Sequence, residues 1–175
     1  FPADSWLFTA STSDTSFASS TSVESSVGAE LLQFLGYDIS STTIAYGGLQ
    51  PGNSADLLAS TSVALLGQGN VGLDESLFGD DMCPTYPACT GNATSTIFAS
   101  SQKYYVAPIS YAAATSTLSG TPTTYTVHVP KTTATSSIQS RTTYWGILVP
   151  GSITLSGSYI GRNTILGVTS GISVW

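Results

Sequence analysis

Short segments rich in β-branched and aromatic residues recur along the chain, and each ends near Gly, Pro or Ser. The clearest is Thr123–Val129, in which Tyr, Val and Val alternate with Thr, Thr and His. An alternation with a period of two is typical of a strand that has one face in a core and the other in water. No capped amphipathic helix of useful length interrupts these segments. The sequence therefore predicts an all-β protein with an antiparallel β-sandwich.

Further strands are predicted by the same criteria of β-rich composition and flanking turn residues. They are residues 42–46, 59–66, 71–73, 96–98, 103–106, 142–149, 153–155, 158–160 and 163–169. Residues 59–66 and 71–73 are joined by Gly67-Gln68-Gly69-Asn70, which predicts a hairpin. Residues 50–53 carry Pro and Gly where a type II turn requires them. Residues 29–35 fit a helix face or a strand, and a strand is favoured.

Residues 1–27 differ from the rest of the chain. They contain Trp6, Leu7 and Phe8 followed by a long Ser/Thr tract with few large apolar side chains. Such a segment cannot bury enough apolar surface to form its own core, although it can lie extended against another surface. The sequence predicts an extended N-terminal arm over residues 1–27 and a sandwich domain over residues 28–175. A mobile arm is the alternative.

The low charge of the chain excludes several functions. Only 8% of the 175 residues are charged, and four basic residues stand against ten acidic ones, which gives a net charge of −6. No basic surface is available to neutralise phosphates, so nucleic-acid binding is not expected. A mean hydropathy of +0.20 and 10% aromatic residues predict a folded chain. No apolar run approaches the roughly 20 residues that span a bilayer, so the protein is not expected to cross a membrane.

The two cysteines indicate an oxidising compartment. Cys83 and Cys89 flank a short loop with two prolines, and a disulfide between them is predicted, with two buried thiols as the alternative. The lone His128 and two cysteines are too few ligands for zinc. Asn92-Ala93-Thr94 is a glycosylation sequon. Together with an opening Phe1-Pro2 that suits a processed chain, these features predict an extracellular or cell-surface protein that carries a glycan at Asn92.

No motif supports an enzyme. His128 is predicted to lie in mid-strand, and no nucleophile elbow or phosphate-binding loop occurs. The one acidic cluster has three interpretations, namely a calcium site, a glycosidase pair or a solvated loop. Its members are Asp74, Glu75, Asp80 and Asp81. The sequence predicts a non-enzymatic protein without a cofactor.

Several short motifs of the chain resemble those of a group of secreted Ig-like or jelly-roll β-sandwich proteins. The motifs are Ile44-Ala45-Tyr46-Gly47-Gly48-Leu49-Gln50-Pro51-Gly52-Asn53, Gly69-Asn70-Val71-Gly72-Leu73, Ser101-Gln102-Lys103-Tyr104, Thr143-Tyr144-Trp145-Gly146-Ile147-Leu148-Val149-Pro150 and Ser156-Gly157-Ser158-Tyr159-Ile160-Gly161. The pattern, over residues 39–168, is similar to the filament subunits of the TasA/camelysin kind. It is also similar to the donor-strand-linked pili and threads of archaea and some bacteria.

The resemblance implies a structural subunit of an extracellular filament. Identical subunits would polymerise head to tail, each donating residues 1–13, with Trp6, Leu7 and Phe8, to the sandwich of the next. Trp145 and Tyr159 would anchor the core. Few Lys and Arg residues leave few sites for trypsin-like cleavage, which suits a durable polymer. The alternatives are a monomeric adhesin or carbohydrate-binding module, and a coat or S-layer protein.

Overall fold

The computed structural model describes residues 5–6, 9–10, 23–24, 29–30, 33–132 and 137–171, the first four pieces by their backbone pairing. The chain divides into two compact units, Phe1–Phe34 and Leu35–Trp175. The division falls later in the chain than the predicted boundary after Val27.

The first unit contains two short antiparallel pairs of strands. Strand β1 (Ser5–Trp6) pairs with β4 (Ala29–Glu30), and β2 (Thr9–Ala10) pairs with β3 (Val23–Glu24). Each pair joins only two residues of one strand to two of the other. Two-stranded pairs of this length are marginal on their own.

The second unit is a sandwich of two antiparallel sheets, so the predicted all-β sandwich is confirmed. Its strands are β5 (Tyr37–Ile39), β6 (Ser54–Ala55), β7 (Ser62–Gly67), β8 (Leu73–Gly79), β9 (Gln102–Tyr105), β10 (Ser116–Thr117), β11 (Thr123–Val129), β12 (Gln139–Leu148) and β13 (Asn163–Thr169). The larger sheet has the order β10-β9-β12-β7-β5, with β6 also on β12, and the smaller sheet has the order β11-β8-β13.

Strand β12 lies at the centre of the larger sheet. Its first half pairs with β7 on one side, its second half pairs with β9 on the other, and β6 pairs with its end. Between β7 and β6 the chain leaves the sheet as a 3₁₀ turn at Ala59–Thr61. The hydroxyl of Thr61 donates to the carbonyl of Trp145 at 2.7 Å, so a side chain takes over one hydrogen bond where the strand is interrupted.

The core between the sheets is built around aromatic rings. Trp145 of β12 is fully buried, and its ring lies 5.5 Å from that of Tyr104. Tyr104 meets Tyr125 of the smaller sheet edge to face at 4.8 Å. Leu77 of β8 and Val63 of β7 belong to the same cluster. The alternation predicted for β11 is confirmed in its second half, where Val127 and Val129 are buried and His128 is exposed.

The predicted hairpin over residues 59–73 is wrong. Strands β7 and β8 follow each other in the chain, but β7 pairs with β5 and β12, whereas β8 pairs with β11 and β13. The turn between them crosses from one sheet to the other, and the amides of Gln68 and Gly69 donate to the carbonyl of Gly36. A Gly-rich turn fits a sheet crossing as well as a hairpin.

Four other predicted strands are absent from the described chain. Residues 42–46, 96–98, 153–155 and 158–160 form no ladder, although Ile97 and Ile160 each make a single bridge. Asp74 and Glu75 of the acidic cluster, for which a solvated loop is one interpretation, lie inside β8. The type II turn at residues 50–53 is confirmed, since Gly52 has φ of 85° and the amide of Asn53 donates to the carbonyl of Gln50 at 3.0 Å.

Gly146 lets the chain before β7 cross β12 closely. A Cβ at this position would lie 2.5 Å from Leu57 Cδ1 and 2.8 Å from the carbonyl oxygen of Ala55. We expect Gly146→Ala to lower the free energy of unfolding by about 2 kcal/mol, because backbone must move to admit the methyl group. Gly151→Ala is the control, since a Cβ there meets nothing within 4 Å. Equal urea midpoints for the two variants would contradict the close approach.

Candidate functional site

The cysteine loop is fixed at both ends. Cys83 and Cys89 form the predicted disulfide, with their Cα atoms 5.5 Å apart. Met82 makes an isolated antiparallel bridge to Ile97, and Cys83 makes one to Ile160. The disulfide therefore holds a surface loop beside two segments that come from later in the chain.

The predicted sequon lies in an exposed turn. The side-chain oxygen of Asn92 accepts hydrogen bonds from the amide of Thr94 at 3.1 Å and from its hydroxyl at 3.0 Å. The carbonyl of Thr94 accepts hydrogen bonds from the amides of Thr154 and Leu155. Asn92 is exposed and its loop is anchored, which suits modification, but glycosylation itself stays a prediction.

Asp74 has a structural role. One of its carboxylate oxygens accepts the amides of Val127 and His128, at 3.0 and 2.9 Å, where the register between β8 and β11 shifts. The other oxygen accepts the hydroxyl of Ser170 at 2.9 Å. The carboxylate therefore satisfies main-chain donors that the shift leaves without ladder partners.

His128 does not form a catalytic triad with these residues. Its Nδ1 lies 3.8 Å from the carboxylate of Asp74, and its side chain is 54% exposed. The Ser170 hydroxyl donates to Asp74 rather than to the imidazole. A nucleophile needs a hydrogen bond to its base, and this arrangement lacks one.

Glu75 is fully buried between the sheets. The hydroxyl of Thr143 donates to its Oε2 at 2.7 Å, while Oε1 has no hydrogen-bond partner among the described residues. Burial raises the pKa of this carboxyl to about 7; the Thr143 hydrogen bond opposes the shift and the charge of Asp74 adds to it. Glu75 therefore changes its charge near neutral pH inside the core.

Asp80 and Asp81 are engaged separately. Asp80 accepts the hydroxyl of Tyr86 at 2.8 Å and lies 3.3 Å from the guanidinium of Arg162. Asp81 accepts the amide of Ala99 at 2.8 Å. The structure does not bring the four predicted calcium candidates to one point. Within the described ranges, no group of three or more His, Cys, Asp or Glu residues could hold a metal ion.

An open groove with an apolar floor, here called groove 1, has a volume of about 620 Å³. Its walls are residues 44–51 and 153–159, and its floor includes Met82, Ile97, Ile147 and Val149. The floor residues, except the half-buried Met82, form a third core cluster with Ile153. No charged side chain lines groove 1 among the described residues. Such a surface is suited to an uncharged occupant.

A second groove, groove 2, has a volume of about 540 Å³ and shares residues 44–46, Met82, Ser158 and Tyr159 with groove 1. It is lined by Ile39 of β5 and Ile165 of β13. Each of these two is an edge strand of its sheet, since β5 pairs only with β7 and β13 only with β8 in the described chain. Groove 2 therefore lies beside strand edges that carry unpaired main-chain groups.

Three uncharged polar side chains meet beside the shared wall. The hydroxyl of Tyr46 donates to Gln102 Oε1 at 2.9 Å, and the amide groups of Gln102 and Asn163 bond each other at 2.7 and 3.2 Å. Gln102 is only 1% exposed. Burial raises the pKa of the Tyr46 hydroxyl, which keeps it a neutral donor. The cluster joins β9 of the larger sheet to β13 of the smaller one.

The predicted core and arm residues lie in different parts of the structure. Trp145 is at the centre of the core, while Tyr159 is half-buried on the shared wall and donates its hydroxyl to the carbonyl of Leu155 at 2.8 Å. Trp6 lies in β1. Leu7 and Phe8 lie outside the described residues.

Sequence reasoning missed the polar cluster and Met82. Gln102 lies within a segment quoted for its resemblance, but one amide in a strand carries no signal of a groove. Tyr46 falls in residues 42–46, whose β-rich composition predicts a strand. Tyr46, Gln102 and Asn163 meet at groove 2 only because segments that are far apart in the chain come together there.

Comparison with protein-family models, curated proteins and solved structures finds no match for this chain. No helix in the described ranges is long and apolar enough to cross a bilayer.

Glu75 makes stability depend on pH. Because its pKa rises from 4.5 in the unfolded chain to about 7 in the fold, its full contribution is present below pH 4.5 and is lost as the pH rises to 7. We expect the free energy of unfolding to fall by about 3 kcal/mol over this interval, and Glu75→Gln to abolish that fall. Asp38→Asn, at an exposed carboxylate, is the control. Urea titrations at several pH values measure how the free energy of unfolding changes with pH. The same pH dependence in Glu75→Gln as in wild type would contradict the role of Glu75.

Proposed function

We propose that the protein is a structural subunit of an extracellular filament, in which each subunit donates residues 1–13 to the grooved edge of the next. The observation that carries the proposal is a pair of adjoining grooves, of which groove 1 has an apolar floor and groove 2 lies beside the edges of β5 and β13. Strand addition requires both features, because main-chain groups supply affinity and apolar pockets take alternate side chains.

The arm matches this surface in chemistry. Residues 5–13 carry no charge, and Trp6 and Phe8 are two residues apart, so both point to the same face of an extended strand. Groove 1 is lined without charge. An apolar pair in an uncharged groove avoids the cost of burying unpaired charges.

The arm is held in the first unit by short strand pairs. The described members of the core clusters lie within residues 37–165. Strands β1 and β2 are held by short pairs of two residues each. Pairs this short are marginal on their own, so releasing them costs little.

An extracellular location is supported by the disulfide and by the exposed, anchored sequon. Donation from one subunit to the next is head to tail and does not close on itself, so it generates filaments. A carbohydrate-binding module would instead present exposed aromatic platforms; Trp145 is fully buried, and the exposed rings of the described chain include Phe34 and Phe98. We favour the filament over the adhesin alternative because groove 2 lies beside open strand edges.

Removing residues 1–13 should abolish filaments, because the acceptor edge then has no donor strand. Trp6→Ser with Phe8→Ser in the full chain should reduce assembly in the same way. Phe17→Ser is the matched control, since it removes an aromatic ring from the arm outside the donated residues. Negative-stain microscopy and sedimentation measure the result.

Each alternative has its own outcome in this experiment. Ordinary filaments from the truncated protein would overturn the proposal. Monodisperse wild-type particles that bind glycans would support an adhesin, and sheets or closed shells would support a coat protein.

Protein from its native source should carry a glycan at Asn92 and the Cys83–Cys89 disulfide. Intact mass spectrometry before and after reduction should show a mass above that of the bare chain and a gain of two hydrogens. Asn92→Gln should remove the excess mass, whereas Asn53→Gln, at an asparagine without a hydroxyl residue two positions later, should not. A bare-chain mass would contradict the glycan.

A further inference from the structure

Residues 44–46, here called the strap, line both grooves. Ile44 and Tyr46 are half-buried and pack on the central core cluster, whereas Ala45 between them is exposed. This is the side-chain pattern of a strand that lies on a core. The strap nevertheless pairs with no strand in the described chain.

The strap is held weakly by its main chain. Among the described residues, the Tyr46 hydroxyl supplies the only hydrogen bond made by residues 44–49. Gly47 follows directly with φ of 76°, and Gly52 has φ of 85°, so the chain beyond the strap turns at residues that tolerate this backbone. A short segment with one side-chain hydrogen bond can leave its place without breaking a sheet.

Departure of the strap leaves no buried amide unpaired. Gln102 Oε1 still accepts from Asn163 at 2.7 Å, and Gln102 Nε2 still donates to Asn163 at 3.2 Å. The cost is therefore one hydrogen bond and the contacts of two side chains. Grooves 1 and 2 would then form one channel, because the strap is part of the wall that they share.

The arm carries the same spacing of large side chains as the strap. Ile44 and Tyr46 are two residues apart, and so are Trp6 and Phe8. We propose that the strap is a placeholder for the donated strand, and that Trp6 and Phe8 of a neighbouring subunit take the positions of Ile44 and Tyr46 in the filament. This inference rests on the proposed function and names the acceptor position within it.

If the strap leaves its place before the donated strand binds, removal of the Tyr46 hydroxyl should make assembly faster. One such hydrogen bond corresponds to about a fivefold change in the released population, so Tyr46→Phe in the full chain should assemble about fivefold faster than wild type. Tyr111→Phe is the matched control, because its hydroxyl donates to the carbonyl of Ser101 at 3.0 Å outside both grooves. An unchanged rate in Tyr46→Phe would overturn the inference.

A cross-linking experiment locates the donor in otherwise wild-type protein. The full chain with a benzophenone amino acid at position 8 is assembled and irradiated, and cross-linked peptides are mapped. We expect the label to reach Met82 of the neighbour, because Met82 is the sole methionine and lines both grooves. The same label at position 17 is the control and should not reach Met82.

The outcomes separate this inference from the proposed function. Filaments that depend on residues 1–13 but show cross-links only outside the grooves would overturn the placeholder and leave strand donation standing. Filaments that do not depend on residues 1–13 would overturn the proposed function itself.

Discussion

The rest of the structure depends on the difference in the number of strands between its two sheets. A sheet of three strands packs on a sheet of six, so part of the larger sheet is covered by other segments. The third core cluster shows where this happens, because Ile147 and Val149 at the end of β12 pack on Ile97 and Ile153 rather than on a strand of the smaller sheet. Extended segments without ladder partners cover an apolar floor less completely than a sheet does, and grooves result.

Polar side chains hold these coverings in place. Thr61 bonds the main chain of β12 just before β7 begins, Asp74 accepts amides of β11 where the register with β8 shifts, and Gln102 with Asn163 joins the sheets beside the grooves. Each of these groups is uncharged except Asp74. Uncharged side chains thus supply two of these three links, in keeping with a chain of which 8% is charged.

Much of the sandwich could be predicted from local pattern. Strands β11 and β13 begin and end where the sequence places them, and the disulfide follows from the short loop between its cysteines. The partners of the strands could not be predicted. Residues 42–46 have the composition of a strand but no ladder, and β7 and β8 enter different sheets across a turn that also suits a hairpin. The grooves could not be predicted for the same reason, since the walls of groove 1 come from segments a hundred residues apart or more.

The position of β5 has a mechanical consequence. It is the first strand of the sandwich, and three residue pairs join it to β7 at the edge of the sheet. A load applied to the chain at Leu35 therefore acts first on these three pairs. The ring of Tyr37 packs over Gly167 of β13, where a Cβ would lie 2.6 Å from the ring. Tyr37 thereby ties the first strand under load to the opposite sheet, so that both sheets resist the pull.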